Sequence, residues 1–250
     1  MSAWRRRLLP AFGAFLLSLA VGARAVPADN EAGSTRTLQA TTSTGRHGAY
    51  YAPPNSGRQP RPVLVFLHGS GGKGSIAMLR LRAVADRERV VVIAPDSVSV
   101  AGTWLMDARA QGFTEDHRHV MACVREVLAL PDLRIDPQQV LIAGFSVGGG
   151  AASFLATQED AFTAFAVLHG HVPADGLGPR RVRGWLSTGD RDRSRSPAAM
   201  KTLADDLRLR GRFPEIELRV FAGDHTLGEE ELSALVSWWL RRPPSPPGGG

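Results

Sequence analysis

A single cysteine, Cys123, stands in the 250 residues, so no disulfide can form within the chain. Cys123 lies in an apolar helical pattern with Val120, Val124, Val127 and Leu128, the setting of a buried core thiol rather than a nucleophile. Long hydrophobic runs are also missing. The longest, Leu8 to Val21, falls short of the ~20 residues that a membrane-spanning helix needs. It follows Arg5-Arg6-Arg7 and precedes Ala23-Arg24-Ala25, which is the layout of a secretory signal peptide cut after Ala25. No cysteine follows the run, so a bacterial lipoprotein anchor has no attachment point. A secreted protein without disulfides rests on its core alone, which suits the periplasm or export in the folded state.

Excess charge is absent once the leader is set aside. The formal charge is +6, and residues 1–25 carry four arginines and no acids, leaving +2. Nucleic-acid binding is therefore not expected. The clusters Arg180, Arg181, Arg183 and Arg191, Arg193, Arg195 read as solvated faces. There is no internal repeat. A phosphate-binding G-x-x-x-x-G-K-[ST] is lacking too, because Lys73 is followed by Gly74. His169 and His171 form an H-x-H pair with no third ligand at useful spacing, so no metal is expected.

What is present centres on Val140 to Gly150. An apolar, β-branched run ends in Gly144-Phe145-Ser146-Val147-Gly148, and a small-residue helix pattern follows. A strand, a sharp turn and a helix are the context in which G-x-S-x-G presents a nucleophilic serine. The flanking positions must be small because the turn is tight, and the helix N-terminus aims its N–H groups at the same spot.

Three further parts are needed, in chain order. His68-Gly69-Ser70-Gly71-Gly72 follows the buried run Val63 to Leu67 and can offer backbone N–H groups to an oxyanion. Ser70 (Gly71 less so) would pair there with Val147. Gly189-Asp190-Arg191-Asp192 supplies two candidate acids at a strand end. His225 is the sole histidine after them, which meets the order Ser, Asp, His. Trp104, in a loop after a strand, is a pocket or lid candidate. His68, His169 and His171 are candidates for lining a substrate pocket. His117 and His119 are expected on solvated helix faces.

Strand and helix patterns alternate from residue 63 to 240, which argues α/β architecture with a mainly parallel sheet and helices on both faces. Ligands in such sheets bind beyond the carboxyl ends of the strands. The expected organisation is a signal peptide over 1–25, a flexible mature N-terminus over 26–45, a catalytic domain over 46–240 and a disordered Pro/Gly tail over 241–250. Ser75 is the expected N-cap of the first helix.

These residues resemble the α/β-hydrolase fold. More narrowly, residues 46–240 resemble secreted esterases of the polyhydroxybutyrate depolymerase-like and feruloyl-esterase-like group. The resemblance rests on Leu67-His68-Gly69, Ala94-Pro95-Asp96 with Trp104, Gly144 to Gly149, and Phe162 with Phe165-Ala166. It implies that the acid of a Gly-x-x-Asp motif is Asp192, and that Gly223-Asp224-His225 carries the histidine. The insertions between strands are short, so a small or absent cap is expected. Departures are Ser70 where the family often has cysteine, and Arg193-Ser194-Arg195 after the acid. Gly-Asp-His-Thr-Leu is also similar to dienelactone-hydrolase and carboxylesterase-like proteins. The implied function is an exported, periplasmic or extracellular serine hydrolase acting on small or polymeric carboxylic esters. Ser146, Asp192 and His225 would be catalytic, Ser70 and Val147 the oxyanion hole, with no cofactor, metal or membrane anchor. A peptidase of the same fold and a non-catalytic binding protein are the alternatives.

Overall fold

Val63, Val65 and Leu67 belong to one apolar cluster, and Leu64 and Phe66 to another on the opposite face of the same strand. Side chains alternate across a strand, so a continuous apolar run is the pattern of a strand covered on both sides. The computed structural model describes residues 33–40, 42–54, 59–106, 114–173, 177–209 and 213–241. Its elements in chain order are β1 (Ser34–Thr37), β2 (Gly48–Ala52), β3 (Arg61–Leu67), α1 (Gly74–Glu88), β4 (Val91–Pro95) and α2 (Glu115–Leu128). A short 3-10 turn (Pro131–Leu133) leads to β5 (Ile135–Phe145), α3 (Val147–Gln158), β6 (Ala164–Leu168), β7 (Arg183–Gly189), α4 (Pro197–Leu209), β8 (Ile216–Phe221) and α5 (Glu229–Leu240).

The strands form one sheet in the order β1-β2-β4-β3-β5-β6-β7-β8. The β1–β2 and β2–β4 pairs are antiparallel, and every pair from β4 to β8 is parallel. This is the expected α/β-hydrolase architecture. Helices α2, α3 and α4 cover the face carrying Val63, Ile142 and Val167. Helices α1 and α5 cover the face carrying Leu64, Ala143 and Trp185. Each fully buried Val, Leu or Phe contributes about 1.5–3 kcal/mol, so the central strands anchor the loops at their carboxyl ends.

Several expectations are corrected. Ser34–Thr37 lies inside the segment expected to be flexible, yet it pairs with β2. Leu38 beyond it is fully buried, and the Glu126 carboxylate accepts from the Gln39 and Ala40 amides. Lys73, not Ser75, occupies the N-cap of α1, without a side-chain cap. β5 begins with Ile135, which pairs with Arg61 before a register shift. His117 and His119 are buried at 2% and 3% exposure rather than solvated. His117 pairs with Glu159 at 2.5 Å, and a His119 ring nitrogen lies 3.2 Å from the His47 carbonyl. Arg180 and Arg183 are not simply solvated either. Arg180 donates to the Ala156 carbonyl in the last turn of α3 and to the Glu159 and Phe162 carbonyls after it, and Arg183 pairs with Glu215 while stacking on Trp238. The expected leader, residues 26–32 and residues 242–250 of the tail lie outside the described residues.

Candidate active site

The tight turn after β5 is built by close approach. A Cβ on Gly144 would fall 2.0 Å from the Gly148 carbonyl oxygen, and one on Gly148 would fall 2.4 Å from the Leu67 carbonyl oxygen. Only glycine fits either position, which is the steric reason for the spacing around Ser146. Ser146 itself has φ 54° and ψ −119°, a conformation costing of order 1–3 kcal/mol that persists where surrounding structure enforces it. Its amide donates to the Leu168 carbonyl at 2.8 Å, tying the turn to β6.

His225 reaches Ser146 from the loop after β8. Its Nε2 lies 3.2 Å from Ser146 Oγ, and its Nδ1 lies 2.8 Å from Asp192 Oδ2. The Asp192 side chain is fully buried and that of His225 is 32% exposed. Asp192 Oδ1 accepts from the Ser194 and Arg195 amides at 2.8 Å each. Burial alone would raise the Asp192 carboxyl. Hydrogen bonds from His225, the Arg195 and Ser194 amides and His169 outweigh it and hold the group far below the usual carboxylate range. Because Asp192 is an acceptor, His225 carries its proton on Nδ1, and the Nε2 lone pair faces the serine hydroxyl. Asp190, the other candidate acid, points elsewhere: its Oδ1 accepts from the Gly223 amide at 2.8 Å and braces the histidine loop.

The glycine-rich loop after β3 passes against the turn, with a Cβ on Gly69 falling 3.5 Å from Ser146 Cβ. The Gly71 amide is occupied by the Gly102 carbonyl at 3.0 Å. The Ser70 amide has no acceptor among the described residues. Val147 opens α3, where backbone N–H groups lack intrahelical acceptors. These are the two amides named from the sequence.

The four pocket candidates separate. His68 is 3% exposed. Its Nε2 accepts from the Ser97 amide at 3.0 Å and its Nδ1 faces the Gly69 carbonyl at 2.7 Å, so the ring is neutral and braces the loop. Burial lowers its pKa in agreement. Trp104 is buried and donates its indole N–H to the His68 carbonyl at 2.8 Å, so it supports the loop instead of forming a lid. His169 is buried beneath Asp192, with Nδ1 2.8 Å from the same Oδ2 that His225 engages. His171 is exposed above the start of α3, where a Cβ on Gly150 would fall 2.9 Å from its Nε2. An apolar hollow of about 150 Å³ opens beside the loop, lined by Phe66, Gly69, Ile76, Ala77, Leu81 and Leu227 among others.

Sequence reasoning missed Glu231, Ser187 and Phe145. Glu231 Oε2 lies 3.2 Å from His169 Nε2, and Glu231 Oε1 accepts from the Ser187 hydroxyl at 2.5 Å. The Phe145 ring packs 5.0 Å from His225 and 5.7 Å from His169. Glu229, Glu230 and Glu231 form one acidic helix start, and nothing local distinguishes the third. Ligand-type atoms of His169, Asp192 and His225 lie within 4.8 Å of one another. Both Nδ1 atoms, however, are turned onto a carboxylate oxygen at hydrogen-bond distance, so each carries a proton and neither offers a lone pair.

Similar folds occur among solved structures. An acylaminoacyl peptidase from Pyrococcus horikoshii aligns with a TM-score of 0.63 at 15% identity, over 88% of this chain and 43% of that one. The chain thus spans less than half of that peptidase. FphF, a fluorophosphonate-binding serine hydrolase from Staphylococcus aureus, aligns with a TM-score of 0.62 at 15% identity, over 84% of this chain and 100% of that one. The S-formylglutathione hydrolase FrmB from Staphylococcus aureus gives 0.61 at 14% identity, over 83% and 98%. No curated protein matches the sequence. At these identities the likeness is one of fold. The family described as esterase PHB depolymerase matches residues 47–215, well over half of the chain. With that match, on an α/β-hydrolase fold, the chain belongs to the esterase PHB depolymerase family.

Proposed function

We propose that this esterase-family protein is an exported serine hydrolase that cleaves carboxylic esters through an acyl-enzyme. One observation carries the reading: the hydrogen-bonded line from Ser146 through His225 to Asp192. Ser146 Oγ attacks the acyl carbon while His225 Nε2 takes its proton. The Ser70 and Val147 amides stabilise the oxyanion, each such donor contributing about 2.7–4 kcal/mol in the transition state. His225 then protonates the departing alcohol, and water attacks the acyl-Ser146 with His225 again as base. Asp192 fixes the ring and stabilises the imidazolium. The apolar hollow of about 150 Å³ supports a small acyl or alkoxy group, since cavities of about this size admit a benzene ring. Export rests on the leader-like residues 1–25.

A p-nitrophenyl ester series tests the proposal, with the purified enzyme beside Ser146→Ala. Turnover of short and medium esters that disappears in the variant is the expected result. Background rates for both folded proteins across the series would overturn the ester reading and bring a peptidase role forward.

A further inference from the structure

We propose that His169 and Glu231 are positioning residues: a buried ionic layer beneath Asp192 that holds its carboxylate in place and keeps His225 free to act as a base. The proposal rests on the triad reading above.

The layer is a continuous line of contacts. Asp192 Oδ2 meets His225 Nδ1 and His169 Nδ1, each at 2.8 Å, and His169 Nε2 meets Glu231 Oε2 at 3.2 Å. The line ends on the Ser187 hydroxyl, which donates to Glu231 Oε1. His169 and Glu231 side chains are both 1% exposed. Such a pair, sealed from water, persists only where each charge has a partner. Asp192 is held by acceptance on both oxygens: the Ser194 and Arg195 amides on Oδ1 and the two imidazoles on Oδ2. It cannot swing without breaking several of these.

His169 is an imidazolium in this arrangement. Both of its ring nitrogens face carboxylate oxygens, and a ring with two acceptors needs two protons. Burial works against the charge, but Glu231 and then Asp192 outweigh it and raise the pKa above the ordinary histidine value. The other groups that face His169 are the His225 ring, perpendicular at 5.6 Å, and the Phe145 ring. Glu229 and Glu230 share a small polar hollow with it. Backbone conformation adds a second observation. His169 has φ 52°, a region sparsely used by residues other than glycine. That turn is maintained by its amide, which donates to the Ser187 carbonyl at 2.8 Å.

The consequence for the reaction follows from charge. A lone Asp192 carboxylate would face His225 with an uncompensated negative charge. A cation on the far side of that carboxylate offsets the field. With the two rings 5.6 Å apart, a positive charge on His169 opposes a second one on His225.

His169→Asn separates the two roles. Asparagine tolerates φ near +50° and keeps an N–H donor near the Nδ1 position, but it carries no charge. With this variant kcat/KM should fall modestly at its optimum, and the acid limb of its pH profile should move up by about half a unit or more. His169→Ala, which removes the donor as well, should lose at least a further tenfold in kcat with little change in KM. A readout independent of activity comes from nitrogen-15 histidine NMR of the wild-type protein. The ring signals missing in His169→Asn should show both nitrogens protonated at neutral pH, and Glu231→Gln should lower the pH at which they titrate. A neutral His169 at pH 7, or an unmoved acid limb in His169→Asn, would overturn the proposal. If the protein cleaves no ester at all, the triad reading fails, and the NMR result still decides the state of His169.

Discussion

His169 and His225 meet on one oxygen of Asp192, with their rings at 90° and 5.6 Å apart. One imidazole faces the serine and is one-third exposed, whereas the other faces Glu231 and is sealed. In the proposed mechanism the same carboxylate serves one ring that changes its proton and one that keeps it. Four predictions about the wider site follow from the packing and charges around this pair.

Asp190 and Asp192 are two residues apart and should behave oppositely. Asp192→Asn loses the carboxylate that orients His225, and a fall of about 10⁴-fold in kcat is expected. Asp190→Asn keeps an oxygen that can accept from the Gly223 amide, so kcat should stay within a few-fold. Steady-state kinetics on one ester substrate distinguishes the two, and the reverse order would transfer the acid's role to Asp190.

Gly148→Ala places a methyl 2.4 Å from the Leu67 carbonyl oxygen, which is backbone and cannot rotate away. Overpacking of this kind typically costs about 1–3 kcal/mol. Urea unfolding should show a lowered midpoint, together with lost activity as β3 and α3 are pushed apart. An unchanged midpoint would mean that the turn is looser than described.

Stability should fall on both sides of neutrality. The Asp192 pKa is depressed in the folded state, so its contribution is present above the unfolded value of about 3.9 and is lost as pH falls through the folded value. The His169 pKa is raised, so its contribution is full below about 6.5 and is lost as pH rises through the folded value. Urea midpoints measured across pH should therefore decline on the alkaline side in the wild type. In His169→Asn that alkaline decline should be shallower, and equal slopes would contradict the assignment.

Ala77 lines the apolar hollow beside Gly69 and Leu227. Ala77→Leu fills part of it. Rates on acetyl esters should stay within a few-fold, while longer or aromatic acyl groups lose about 10–200-fold in kcat/KM. A uniform loss across the series would place the acyl group elsewhere.

Much of this arrangement was legible in the sequence because two strong patterns coincide. Val63 to Leu67 and Val140 to Ala143 are apolar on both faces, which only a covered sheet satisfies, and glycines flank Ser146 at the spacing a tight turn requires. His225 could be found because chain order leaves one histidine after the acid. What was hidden depends on contacts between distant segments. Glu231 is 62 residues from His169 and looks like its exposed neighbours Glu229 and Glu230. His117 and His119 look polar in a helix pattern, yet α2 buries a wider face than its aliphatic residues mark out. The strand Ser34–Thr37 has no apolar alternation, and it forms because the edge of β2 offers unpaired backbone groups.

The central claim is that Ser146 is a nucleophile activated by His225. Its most direct measurement is covalent labelling with a fluorophosphonate, followed by peptide mass spectrometry. The expected result is one phosphonyl group per chain, on the peptide carrying Ser146, absent in Ser146→Ala and strongly slowed in His225→Ala. Labelling at another residue, or undiminished labelling in Ser146→Ala, would contradict it.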